Sequence, residues 1–168
     1  MTVFIALLRA VNVGGTGRLP MSDLSALCTK LGFAHVRTYI QSGNVVFASK
    51  LTEKSIRAQL EHALTKTLGK HADVIVRTAS ELRAVLEANP FKNAVQAKVG
   101  VYFQSEPVTK SQLSRVESPT GEEVRLGKRE FYILFPDGMG RSKLKVPAGV
   151  GTMRNMNTVA KLVALAEG

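Results

Sequence analysis

The sequence predicts an α+β protein in which two halves share one element order, a strand and helix followed by a hairpin. Three observations predict it. Short β-rich runs alternate with amphipathic helical stripes, glycines and prolines punctuate the boundaries, and the first half completes a βαββαβ series. With 168 residues and 45% hydrophobic content, the chain has enough apolar material for one ordinary domain or two small halves packed closely.

Val3 to Leu8 is continuous apolar sequence and reads as a strand buried on both faces. The glycine-rich stretch Asn12-Val13-Gly14-Gly15-Thr16-Gly17 leads to Pro20 and Ser22, which introduce a helix. Leu24, Leu27, Cys28 and Leu31 recur at helical spacing, and Gly32 stands where a C-terminal glycine cap belongs. Cys28 thus falls on the apolar stripe and reads as core. His35 to Ile40 and Val45 to Ala48 are strands joined by Gln41-Ser42-Gly43-Asn44. Thr52 can cap a helix with Ile56, Leu60, Leu64 and Leu68 inward, closed by Gly69. Asp73 to Arg77 is the fourth strand. This order is that of a ferredoxin-like unit, an antiparallel sheet with helices on one face.

Ser80 opens a further helix with Leu82, Val85 and Leu86 inward, stopped by Asn89-Pro90. Lys98 to Phe103 is a strand, followed by a short helix around Lys110 to Val116. Glu123 to Leu126 and Glu130 to Phe135 form a hairpin turning at Gly127-Lys128, and Pro136-Asp137-Gly138 is a turn. A last helix starts near Asn157, with Val159, Leu162 and Val163 on one face. This half reads βαββ plus a terminal helix, a variation on the ferredoxin-like order. The expected subdomains are residues 1–78 and 79–168.

Several classes are excluded or disfavoured. No apolar run reaches the ~20 residues of a membrane span, and the apolar N-terminus has neither a basic region before it nor a cleavage site after it. One cysteine allows no internal disulfide, and His35, His62 and His71 lack ligand spacing, so neither a metal nor a cofactor is expected. A reducing, cytoplasmic setting follows. The net charge of +10 and pI near 10.1 favour an anionic partner, nucleic acid among them, and no membrane. Between Asp137 and Glu167 there is no acid, while Arg141, Lys143, Lys145, Arg154 and Lys161 are all present.

Topology suggests where polar residues meet. In strand order 4-1-3-2, the loop after strand one and the hairpin between strands two and three share one end of the sheet. Arg9, Asn12, Gly14 and Gly15 would face Gln41, Ser42, Gly43 and Asn44. This donor-rich group contains no Asp, Glu, His or Cys, which suits an anion better than acid–base or covalent chemistry. The glycines match neither a P-loop nor a dinucleotide fingerprint. Arg154 and Asn155, just before the last helix, are a second candidate anion contact at a helix N-terminus, with ordinary capping as the competing role.

The βαββαβ order also builds RNA-recognition motifs. Here Asn44 and Val46 occupy the positions of the base-stacking rings, and aromatic content is 6% with no tryptophan. A stacking RNA reader is not expected.

Leu8-Arg9-Ala10-Val11-Asn12-Val13-Gly14-Gly15, Tyr39-Ile40-Gln41-Ser42-Gly43-Asn44-Val45, Asn89-Pro90-Phe91 and Arg154-Asn155-Met156-Asn157-Thr158 together resemble the bacterial family called domain of unknown function 1697. The resemblance runs from Phe4 to about Leu165. It implies two ferredoxin-like subdomains and no assigned activity. Ala10 stands where the family often has glycine and Met156 where it often has tryptophan, and the stretch from Lys143 to Gly151 is short beside other members. The expectation from the residues is binding of an anionic ligand, a nucleic-acid backbone or a phosphorylated metabolite. The alternative is a metal-free enzyme on a small phosphorylated or acyl substrate. Oligomeric state is not readable from the sequence.

Overall fold

The structure, a computed structural model, describes residues 1–9, 19–40, 43–146 and 149–168. It is α+β, with two four-stranded antiparallel sheets and, among the described residues, five α-helices. The chain divides into two compact units, Met1–Leu82 with Leu162–Gly168, and Arg83–Lys161.

In the first unit the order is β1 (Thr2–Leu8), α1 (Met21–Lys30), β2 (Ala34–Tyr39), β3 (Asn44–Ser49), α2 (Glu53–Leu68) and β4 (Val74–Thr78), with strand order β2-β3-β1-β4. Register pairs Phe4 with Phe47, Ala6 with Val45 and Leu8 with Val74, so these side chains share one face. Leu24 and Cys28 of α1 and Ile56, Leu60 and Leu64 of α2 close over that face in one cluster. The Phe33 and Phe47 rings stack 4.3 Å apart within it. The opposite face carries Ile5, Leu7, Val46, Ile75 and Arg77, all buried. Every residue of β3 is buried. At its two central strands, β1 and β3, the sheet is thus buried on both faces.

Local signals act as the sequence predicts. Thr52 accepts a hydrogen bond from Ser55 N at the start of α2, and Gly69 ends it at φ 73°. The hairpin closes through Asn44, whose buried amide donates to Tyr39 O at 2.9 Å.

The second unit contains the end of α3 (Ala79–Glu87), then β5 (Val99–Gln104), α4 (Lys110–Ser114), β6 (Glu123–Leu126), β7 (Glu130–Leu134) and β8 (Gly151–Asn155), and the start of α5 (Met156–Glu167). The strand order is β6-β7-β5-β8. Strand β8 was not expected. Gly151 to Asn155 pairs antiparallel along β5, from Gly151 opposite Gln104 to Asn155 opposite Gly100. One face of this sheet gathers Phe131 and Ile133 against Tyr102, Val124, Leu126 and Met153, and the irregular segment holding Met139, Leu144 and Val146 packs on it. The Asn89-Pro90-Phe91 motif builds the loop before β5. Asn89 Oδ1 accepts from Phe91 N, and its amide donates to Gln96, which in turn donates to Phe91 O and Ala94 O.

Candidate functional site

The end of β1 is where sequence and geometry meet. Leu8 N donates to Gly43 O at 2.9 Å, and Gly43 lies so close that a Cβ there would sit 2.9 Å from Leu8 Cβ. Gly43, just before β3, therefore rests on Leu8, the last residue of β1, at the pole where Arg9 emerges. Of the expected residues, the structure brings Arg9, Gly43 and Asn44 to this pole. Asn12, Gly14, Gly15, Gln41 and Ser42 lie outside the described residues. Asn44 is turned inward to close the hairpin, so its role there is structural.

The pole is not free of acids, contrary to expectation. Because β4 runs antiparallel beside β1, the residues just before β4 lie beside the residue just after β1. Arg9 N donates to Asp73 O at 3.0 Å, and its guanidinium Nη1 lies 3.8 Å from Asp73 Oδ2. The other oxygen of Asp73 meets His71 Nε2 at 2.6 Å. Glu61, reaching over from α2, accepts from Val74 N at 2.9 Å and from Arg57 Nε at 3.1 Å. Ligand atoms of Glu61, His71 and Asp73 come within 4.8 Å of one another. Two guanidiniums already face these two carboxylates, which disfavours a further cation there.

The described pole is thus charge-balanced around Asp73, not a pure donor cluster. Arg9 remains about half exposed and so does His71, more strongly, while Asp73 is mostly covered. A carboxylate that orients an exposed imidazole is an arrangement capable of proton transfer. The sequence signal that could have found it was the same sheet order that located the hairpin, applied to the α2–β4 connection.

Arg154 and Asn155 belong to the second unit. Arg154 lies on β8 opposite Val101 and is buried, with Nη1 donating to Thr152 Oγ1 at 2.8 Å and to Met153 O at 2.9 Å. Burial lowers its guanidinium pKa to about 10. Asn155 Oδ1 accepts from Thr158 N, which is ordinary capping of α5. Of the basic C-terminal stretch, Arg141, Lys143, Lys145 and Lys161 are exposed and Arg154 is not. Cys28 is fully buried, and burial pushes its thiol up to about 12, so it is protonated at neutral pH and no nucleophile.

Comparison with known proteins agrees with the fold and leaves the chemistry open. A family model described as "Protein of unknown function (DUF1697)" matches residues 1–132. The Arg154–Thr158 segment lies beyond that match. No curated protein matches the chain. The solved structure of conserved bacterial protein SP0830 from Streptococcus pneumoniae is similar, with a TM-score of 0.80, 25% identity and 98% of each chain covered. No described helix is long and apolar enough to cross a membrane.

Proposed function

The chain belongs to the family of unknown function DUF1697, and we propose that it binds an anionic ligand, a nucleic-acid backbone or phosphorylated metabolite, at the pole of the first unit. The observation that carries this reading is Arg9. Its guanidinium is half exposed and held to Asp73 by one long contact of 3.8 Å. Such a surface pair contributes little, ~0–1 kcal/mol, and a phosphate oxygen can replace the carboxylate at small cost. Asn12, Gly14 and Gly15 follow Arg9 in sequence, Gln41 and Ser42 immediately precede Gly43, and the net charge of +10 favours approach of anions. We also read both four-stranded units as ferredoxin-like, supported by their shared strand order, and the protein as cytoplasmic and bacterial.

The test is fluorescence anisotropy with labelled single- and double-stranded oligonucleotides across a salt series, alongside calorimetry with phosphorylated metabolites. Binding that weakens with salt is expected, with Arg9→Ala reducing affinity about tenfold, as for loss of a charge-assisted hydrogen bond. Asp73→Asn should increase affinity up to about fivefold, because it frees Arg9 and removes a repelling charge. Absence of binding at low salt, or indifference to Arg9→Ala, would overturn the reading.

A second reading is favoured by the His71–Asp73 contact at 2.6 Å. In it the same pole turns over a small phosphorylated or acyl substrate, with His71 moving the proton and Asp73 orienting its ring. His71→Gln would then abolish turnover of a phosphoester or thioester panel while leaving binding in place. Equal turnover by wild type and variant excludes that role.

A further inference from the structure

At its outer edge, the first sheet is interrupted. Ala34 pairs with Ala48 and Arg37 with Val46, so His35 and Val36 together oppose the single residue Phe47. This is a β-bulge, and His35 sits in it at φ 53°, a left-handed conformation unusual for a residue with a side chain. Bulges and strained residues of this kind recur beside binding sites, where they re-aim side chains.

Beside the bulge lies a groove of about 580 Å3, within the range of small-molecule sites. Val3, Val36, Phe47, Ala48 and Ala166 supply its apolar lining, and Gly168 completes it. Its side-chain polar groups are His35 and Arg37, and among the described residues no Asp or Glu side chain lines it. Arg37 donates through Nη1 to Leu165 O, which tethers one end of the guanidinium. Its Nε is buried and meets no acceptor among the described residues. The Nε–Nη2 edge is the side of a guanidinium that receives a carboxylate in two parallel hydrogen bonds.

We propose that this groove is a second binding site, separate from the Arg9 pole, for a small organic carboxylate with an apolar body. The carboxylate takes the Nε–Nη2 edge of Arg37, and the body lies against Val3, Val36, Ala48 and Ala166. Seating it requires the guanidinium to present that edge to the groove it already lines. Charge and shape select the class. One guanidinium matches a single negative charge, and the apolar walls do not compensate the desolvation of a dianion such as a phosphomonoester. A neutral amide of equal shape offers one acceptor oxygen instead of two and carries no charge, so it forgoes the bidentate, charge-assisted pairing that discriminates the acid.

The test uses 3-phenylpropionate and its neutral amide as probes, followed by heteronuclear NMR of the labelled full-length protein. The acid is expected to shift the backbone amides of Val36, Arg37, Ala48 and Ala166 saturably. The amide should bind at least about tenfold more weakly, and Arg37→Lys should weaken the acid by a similar factor because it keeps charge and loses the fork. Arg9→Ala should leave acid binding unchanged, which separates this site from the pole. Equal binding of acid and amide, the absence of saturable shifts at these residues, or unchanged acid affinity in Arg37→Lys would overturn the proposal. The acid–amide comparison needs only the wild-type chain, so an unfolded variant does not shield the proposal.

Discussion

Gly43 shows how much one residue decides at the pole. Its φ of 83° is a glycine conformation, and a Cβ would press on Leu8 Cβ at 2.9 Å, where the hairpin meets β1. Gly43→Ala carries both backbone strain and the clash, and should cost ~2 kcal/mol, measured as a shift in the denaturant midpoint. Cys28 makes a different residue-scale claim. A protonated, fully buried thiol should resist alkylation in the native protein and react only on unfolding. Rapid native alkylation would contradict that burial. Glu122 adds a pH dependence. Burial works to raise its pKa, but hydrogen bonds from Thr120, its own backbone, Ser142 and the Thr120 backbone outweigh it and hold the carboxyl below the ordinary glutamate range. A depressed folded-state pKa means stabilisation that is present above the unfolded value, ~4.3, and is lost as pH falls through the folded value. Comparing acid-unfolding curves of wild type and Glu122→Gln should therefore show a shallower acid limb in the variant.

Strand β8 is the element whose placement most depends on its neighbours. A Cβ on Gly151 would lie 2.2 Å from Phe103 O and 2.5 Å from the Tyr102 ring, so the strand can begin only where no side chain intervenes. Gly151→Ala should destabilise by roughly 3 kcal/mol or more, seen as a lowered Tm and early loss of exchange protection along β8. A near-neutral substitution would mean that β8 does not pair with β5 there. The same element marks the limit of sequence reading. The first unit was legible because its helical stripes, Thr52 cap and Gly69 stop are local signals that agree with the fold. Gly151-Thr152-Met153-Arg154-Asn155 has no strand signal of that kind, and its glycine, arginine and asparagine resemble the approach to a helix cap. Only its partner β5 makes it a strand. At the site, Arg9 and the hairpin were legible from sheet order, whereas His71 read only as a histidine without ligand spacing and Asp73 as the first residue of the fourth strand. Their proximity to Arg9 comes from the antiparallel pairing of β1 and β4, a contact 64 residues apart in sequence for Arg9 and Asp73.

At the scale of the whole molecule, the first unit draws on both ends of the chain, with Leu162–Gly168 joining Met1–Leu82. Leu162, Val163 and Ala166 are buried, and Leu165 O is the acceptor that holds Arg37. The helix-side core is different, since all its buried members lie between Phe4 and Val76. A fragment ending at Leu82 therefore retains the complete α1–α2 core but loses the acceptor for Arg37 beside the β2 bulge. The fragment should fold with reduced stability, and the loss should be uneven. Amides of β2 should exchange faster than in the intact chain, while those of β1 and β3 beneath the two helices stay protected. Adding a peptide of residues 156–168 should restore protection at β2 by binding the folded fragment in preference to the unfolded one. Uniform loss of protection across the fragment would mean that the two ends of the chain support the whole sheet and not its outer edge. Protection of β2 equal to that of the intact chain would mean that the Arg37–Leu165 bond contributes nothing to that edge, and that the bulge holds its shape by strand pairing alone.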